Sequence, residues 1–134
     1  DNVMAEEYID GRELTVAVIG GEALPVVEIK PKDGFYDYEH KYTKGFTEYF
    51  CPADLPDKLA EHIQEQAVVA HKALGCEVYS RVDFRLNSRG DAYCLEVNTL
   101  PGMTELSLVP KAASAVGMDF TALLNRIIEL SLNK

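Results

Sequence analysis

Residues 79–104, YSRVDFRLNSRGDAYCLEVNTLPGMT, constrain this chain's fold more than any other stretch. Arg81, Asp83 and Arg85 alternate with Val82, Phe84 and Leu86, which predicts a strand with one polar and one apolar face. Glu96 and Asn98 alternate with Leu95 and Val97 in the same way. Between the two runs, Ser88-Arg89-Gly90-Asp91 is a turn signal, with glycine available for a positive φ. A two-residue loop at Arg89-Gly90 pairs positions whose numbers sum to 179, so Asp83 faces Glu96 and Arg81 faces Asn98. A bulge at the glycine shifts that register by one. Carboxylates directly opposite across a strand pair lie roughly 4.5–5.5 Å apart at Cβ and repel. A divalent cation such as Mg²⁺ removes the repulsion, and it takes carboxylate and amide oxygens as ligands. The alternative is an acidic hairpin that is only solvated, or an Asp83 paired with Arg81 or Arg85.

The rest of the chain is long enough to give this hairpin a core. At 134 residues, 47% apolar and 26% charged, it has the make-up of one globular domain. A net charge of −9 without a basic stripe excludes broad nucleic-acid binding through phosphates. Nucleotide binding stays open, since Mg²⁺ and a few placed lysines neutralise phosphates. Cys51, Cys76 and Cys94 are odd in number and form no Cys-x-x-Cys pair, which points to reduced, buried thiols in a cytoplasmic protein. No apolar run approaches the roughly 20 residues of a membrane helix, and no signal peptide is visible. The opening at Asp1, without an initiator methionine, reads as a piece of something longer.

In order, residues 3–9 are a strand candidate that ends at the Asp10-Gly11 turn signal. Residues 12–19 are a second, with Leu14, Val16 and Val18 alternating against Glu13, Thr15 and Ala17. Gly20-Gly21 turns the chain into residues 23–30, where Pro25 predicts an edge position or an irregular start. This much predicts an antiparallel sheet with one wet face. Residues 31–56 hold three prolines and the aromatic-rich GFYDYEHKYTKGFTEYF without a regular period, the pattern of a functional, lid-like loop. A short strand around residues 47–50 is the plainer reading of its end. Residues 56–74 form a helix with Leu59, Ile63, Ala67, Ala70 and Leu74 on one face, Asp54 as cap and Gly75 as stop. His62 and His71, nine positions apart, cannot chelate one ion together and read as surface or boundary residues. After the hairpin, Pro101-Gly102 forces a turn, and a helix runs over residues 105–116 until Gly117. Asp119 caps a last helix over residues 120–132, with Leu123, Leu124, Ile127, Ile128 and Leu130 apolar. The fold class is α+β, an antiparallel sheet on one side with helices on the other.

Six stretches together carry a family resemblance. They are EEYIDGRELTVAVI (6–19), FYDYEHKY (35–42), YFCPA (49–53), SRVDF (80–84), LEVNTLPGMTELSLVP (95–110) and GMDF (117–120). Nearly end to end, the chain resembles the C-terminal part of the ATP-grasp ligases, and within them the D-alanine–D-alanine ligase family.

The resemblance implies an ATP-grasp C-terminal subdomain. It implies an ADP-forming carboxylate–amine ligase that joins two D-alanines for peptidoglycan, with ATP as co-substrate and two Mg²⁺ (or Mn²⁺) ions. Glu6, Glu7 and Ile9 match the segment that meets the adenine, and Glu13 the carboxylate on the ribose hydroxyls. Lys41 matches the loop lysine that reaches the γ-phosphate, and Tyr42 the tyrosine that helps close the site. Asp83, Glu96 and Asn98 match the metal ligands, with Glu96 touching both ions. Arg81 matches the arginine on the reacting carboxyl and phosphoryl oxygens, and Gly102 the glycine whose N–H faces the same developing charge. Ser107 and Leu108 match the pocket of the second D-alanine, whose carboxylate a helix start favours. The family's glycine-rich loop, its second phosphate-binding lysine and its domain for the first D-alanine have no counterpart in these 134 residues. The sequence alone is therefore expected to have no ligase activity. The resemblance also implies a cytoplasmic enzyme that works as a homodimer, without nucleic-acid or membrane partners.

Overall fold

The computed structural model describes residues 2–31 and 47–133 of the chain. Lys41, Tyr42 and most of the expected lid lie outside the described residues. In chain order the elements are β1 (Arg12–Ile19), β2 (Glu22–Ala23), β3 (Val27–Pro31), β4 (Thr47–Phe50), α1 (Asp57–Ala73), β5 (Tyr79–Leu86), β6 (Ala92–Asn98), α2 (Leu108–Ala115) and α3 (Phe120–Leu132). The strands make one antiparallel sheet in the order β4-β3-β1-β5-β6, with β2 paired to β1.

The expected strand at residues 3–9 does not form. Val3, Met4 and Tyr8 are exposed, and this segment pairs with none of the strands. Apolar residues without a partner strand and a core to cover gain nothing from extension. What ties the segment to the sheet is Arg85, whose Nε donates to the Ile9 carbonyl at 3.0 Å and whose guanidinium lies over the Tyr8 ring.

The expected strand at residues 23–30 is split. Val18 faces Ala23 in the first part and Thr15 faces Val27 in the second, so one extra residue is taken up between β2 and β3. Pro25 lies in that break, where its missing N–H costs no ladder bond.

β1 is buried on both faces from Leu14 to Ile19, so the single wet face is corrected to a sheet with helices on both sides. Leu14, Val16, Val18, Val82, Phe84 and Leu86 pack beneath α1 through Ile63 and Ala67. On the other face Ala17, Ile19 and Val27 pack beneath α2 and α3 through Val109, Ala112, Ala113 and Leu123. Sealing each large apolar side chain contributes about 1.5–3 kcal/mol. From Val16 to Ile19 the central strand is all apolar, as strands covered on both sides are.

Helix ends follow their local chemistry with two exceptions. Pro56 occupies the N-cap of α1 without a side-chain cap, so Asp54 does not cap it. The helix start lies too far along the chain for Asp54 to reach its free N–H groups. At the other end Gly75 takes φ +68°, and the N–H groups of Gly75 and Cys76 bond back to Lys72 and His71 at 3.0 Å. α2 begins at Leu108 rather than 105, because residues 104–107 form a turn closed by Ser107 N–H on the Thr104 carbonyl at 2.8 Å. α3 runs as expected, with Asp119 Oδ1 accepting from the Ala122 N–H at 2.8 Å.

Two further expectations change. His71 is buried rather than at the surface, with Nδ1 2.7 Å from the Ser80 hydroxyl, whereas His62 is exposed. The three thiols are free, but Cys51 and Cys76 are half-buried and Cys94 is exposed, because β6 is an edge strand with one open side. Among the described residues, no helix is long and apolar enough to cross a membrane.

Candidate functional site

The site face is the side of the sheet that carries Glu13, Thr15, Asp83 and Arg81. α2 and α3 cover its Ala17–Ile19 end, where Tyr79 also packs, and leave the other end open. Across β1 and β5, Glu13 faces Arg85, Thr15 faces Asp83 and Ala17 faces Arg81. Across β5 and β6, Arg81 faces Asn98 and Asp83 faces Glu96, the facing expected from the sequence.

That facing is reached by a different route. β5 and β6 pair Leu86 with Ala92 and Phe84 with Cys94, so the numbers near the turn sum to 178. The register slips by one between Asp83 and Phe84, leaving Leu95 as an extra residue, and the sum becomes 179 at the site. The loop is one residue longer than expected, and the bulge restores the register. Asn87 organises the loop: its Oδ1 accepts from the N–H groups of Arg89 and Asp91 at 2.9 Å, and its N–H bonds the Asp91 carbonyl at 3.0 Å. Gly90 takes φ +88°, as the last position of a three-residue hairpin loop requires.

Asp83 is the most constrained side chain of the group. Arg81 grips it bidentately, Nε to Oδ1 at 2.9 Å and Nη2 to Oδ2 at 2.8 Å. The Thr15 hydroxyl donates to Oδ1 at 2.6 Å. The hydrogen bond that Arg81 donates to Asp83, with the charges of Asp83, Glu96 and Glu13, raises the Arg81 pKa against the opposing effect of burial. Glu96 Oε1 stands 4.0 Å from Arg81 Nη2, and its side chain is 64% exposed against 18% for Asp83. Asn98 Oδ1 accepts from the Leu100 N–H at 3.0 Å, which fixes the amide at the strand's end. The Asp83–Arg81 pairing foreseen as an alternative is thus present within the cluster.

Among the described residues no group of three His, Cys, Asp or Glu side chains stands ready to hold a metal ion. The donor set nevertheless fits a hard divalent cation: two facing carboxylates and an amide oxygen, with no sulfur or imidazole among them.

Beyond the hairpin, Gly102 and Ser107 come together. A Cβ on Gly102 would stand 3.2 Å from Ser107 Oγ, and that hydroxyl accepts from the Thr104 N–H at 3.0 Å. Leu108, the first residue of α2, is half-buried and packs against the core beneath α2 and α3. Glu6 and Glu7 are exposed on the N-terminal segment, and Ile9 is half-buried beside Arg85. Glu13 lies on the site face itself.

Thr15, Tyr49 and Lys111 were not expected at the site, and Arg85, weighed as a partner for Asp83, instead bonds the Ile9 carbonyl. Tyr49 on β4 faces Ile29 on β3, and Lys111 Nζ from α2 lies 5.2 Å over the tyrosine ring. Burial, with a smaller effect of Glu13, raises the Tyr49 pKa. Strand alternation put Thr15 on the face of Glu13, but its position opposite Asp83 needs the pairing of strands 68 residues apart.

Comparison with known proteins fits this geometry. The family model described as the D-ala D-ala ligase C-terminus matches residues 1–129. A D-alanine–D-alanine ligase of Methylacidiphilum infernorum is 56% identical over 129 residues, covering 96% of this chain and 43% of that protein. The crystal structure of a D-alanine–D-alanine ligase from Bacillus anthracis, complexed with ATP, superposes with a TM-score of 0.81 at 42% identity, over 96% of this chain and 42% of that one. The VanG D-Ala:D-Ser ligase from Enterococcus faecalis matches with a TM-score of 0.78 at 38% identity, over 92% of this chain and 37% of that one. The chain spans less than half the length of these relatives. With its antiparallel sheet, its three helices and a family match over almost every residue, the chain belongs to the D-alanine–D-alanine ligase family, whose C-terminal domain it matches.

Proposed function

We propose that this domain supplies the metal-binding half of the nucleotide site in an ADP-forming D-alanine–D-alanine ligase. The observation that carries the reading is the facing of Asp83 with Glu96 and Arg81 with Asn98 on the open end of the sheet, in a chain of this family. In this reaction the carboxylate of one D-alanine attacks the γ-phosphorus of ATP, releasing ADP and forming an acyl phosphate. The amine of a second D-alanine then adds to the acyl carbon, and phosphate leaves from the tetrahedral intermediate.

Each side chain has a task in that sequence. Asp83, Glu96 and Asn98 would hold the Mg²⁺ or Mn²⁺ ions. When bound, the ions neutralise charge on the phosphate oxygens. Arg81 presents the N–H groups that Asp83 leaves free to the oxygens of the carboxyl and phosphoryl groups, a task that lysine's point charge does less well. Gly102 presents its backbone N–H to the same developing charge, since a side chain there would press on Ser107. Ser107 and Leu108, at the start of α2, receive the carboxylate of the second D-alanine. Glu13 takes the ribose hydroxyls, and Glu6, Glu7 and Ile9 line the adenine side. Lys41 and Tyr42 complete the phosphate and acceptor contacts.

The decisive assay is ADP formation by the ligase polypeptide that carries this domain, with D-alanine, D-serine and D-lactate compared as acceptors. The reading expects turnover with D-alanine as both substrates. Preference for D-serine would move the chain toward the VanG-type ligase that it also resembles, and preference for D-lactate toward depsipeptide formation. Mg²⁺–nucleotide binding with no ligation of any acceptor would make it a binding module instead.

A further inference from the structure

The contacts around Asp83 count out its lone pairs. A carboxylate has two oxygens and about four acceptor positions. Oδ1 receives both Arg81 Nε at 2.9 Å and the Thr15 hydroxyl at 2.6 Å, so its positions are filled. Among the described residues, Oδ2 receives Arg81 Nη2 alone, at 2.8 Å. Thr15 is 1% exposed, on the strand next to β5, and its hydroxyl has one proton to give. The Val82 carbonyl is 3.3 Å away and the Asp83 carboxylate 2.6 Å, so the charged acceptor takes it.

We infer that Thr15 is a positioning residue for the metal site: by filling Oδ1 it fixes the Asp83 carboxylate so that Oδ2 alone is offered to a divalent cation. This rests on the metal reading of Asp83 proposed above. Arg81 alone cannot impose the choice, because its two nitrogens bond both oxygens alike. The asymmetry comes from the buried hydroxyl. Outer groups of this kind orient a ligand before the ion arrives, and their loss costs about 10–100-fold in metal affinity.

The test is Mn²⁺ binding in the presence of ADP, followed by electron paramagnetic resonance in the ligase polypeptide that carries this domain. Thr15→Val keeps the shape and removes the hydroxyl; Thr15→Ser keeps the hydroxyl. The expected result is about tenfold weaker Mn²⁺ binding for Thr15→Val, with recovery to within about threefold of wild type for Thr15→Ser. Unfolding temperatures measured alongside separate this from a general loss of structure. If Thr15→Val fails to fold, Thr15→Ala removes the same hydroxyl, and its affinity is read against the same expectation. Asp83→Asn is the control for the parent reading. Weak binding by Asp83→Asn with wild-type binding by a folded Thr15→Val overturns the role of Thr15 alone. Wild-type binding by Asp83→Asn overturns the metal reading, and this inference with it.

Discussion

Two polar contacts on β5, one half-buried and one buried, illustrate how much a single register decides. At Arg81 the guanidinium is held edge-on by both oxygens of Asp83, a geometry that a lysine cannot copy. Arg81→Lys keeps the charge and loses the fork. It is expected to lower ligation by about 10²-fold or more, comparable to losing one donor to a developing oxyanion, and steady-state kinetics with D-alanine and ATP measure this. One residue earlier, Ser80 points to the opposite face and meets His71 at 2.7 Å in the core under α1. Burial, with a lesser effect of Lys72, lowers the His71 pKa. The unfolded chain therefore takes up a proton near pH 6.5 that the folded chain refuses. Stability is complete above that pH and falls as pH drops below it, by at most about 1.4 kcal/mol per pH unit from this group. Urea unfolding at pH 7.5 and 5.5 should show the loss in wild type and a flatter dependence in His71→Gln; equal slopes would contradict it.

At the scale of elements, the β5–β6 hairpin keeps its functional facing through two offsets that cancel. The loop is longer than two residues, and the bulge at Leu95 takes up the difference. Deleting Leu95 should leave Cys94 on the core side and Glu96 opposite Asp83, so Mn²⁺ affinity stays within about tenfold of wild type. Deleting Val97 moves Asn98 to the core side and should cost about 100-fold or more, since a one-residue shift flips every following side chain. Metal titration of the two deletions, with circular dichroism as a check on folding, tests the pair. The alternation Arg81-Asp83-Arg85 against Val82-Phe84-Leu86 made this facing legible in the sequence, and α3 was legible through Asp119 and its apolar repeat. The remainder depends on contacts distant in the chain. Residues 3–9 have strand-like composition but no strand to pair with. Thr15 and Ala17 look like a wet face until α2 and α3 are folded over one end of it. His71 looks like a surface residue until Ser80 arrives from the next element. None of these follows from local period, because each depends on a neighbour supplied by topology.

The described residues form a sheet between two helical layers, with Glu13, Arg81, Asp83 and Glu96 on the face that α2 and α3 cover at its other end. The two cores share β1, so damage to either should weaken both. Ile63→Ala under α1 and Leu123→Ala under α3 are each expected to cost about 2–5 kcal/mol, within a single unfolding transition measured by calorimetry. Two separated transitions would mean that the layers fold independently. A polypeptide of these 134 residues holds the proposed metal ligands and acceptor turn without a glycine-rich phosphate loop, and on its own it should release no phosphate from ATP with D-alanine. The central claim, that the facing carboxylates of β5 and β6 hold the ions of a ligase, is tested most directly by one rate. That rate is D-alanyl-D-alanine formation from ATP by the carrying ligase polypeptide with Glu96→Gln, which preserves shape and removes the charge. Losing several kcal/mol of metal-derived stabilisation predicts a fall of about 10³-fold or more. A rate within about threefold of wild type at the same Mg²⁺ concentration would contradict the account.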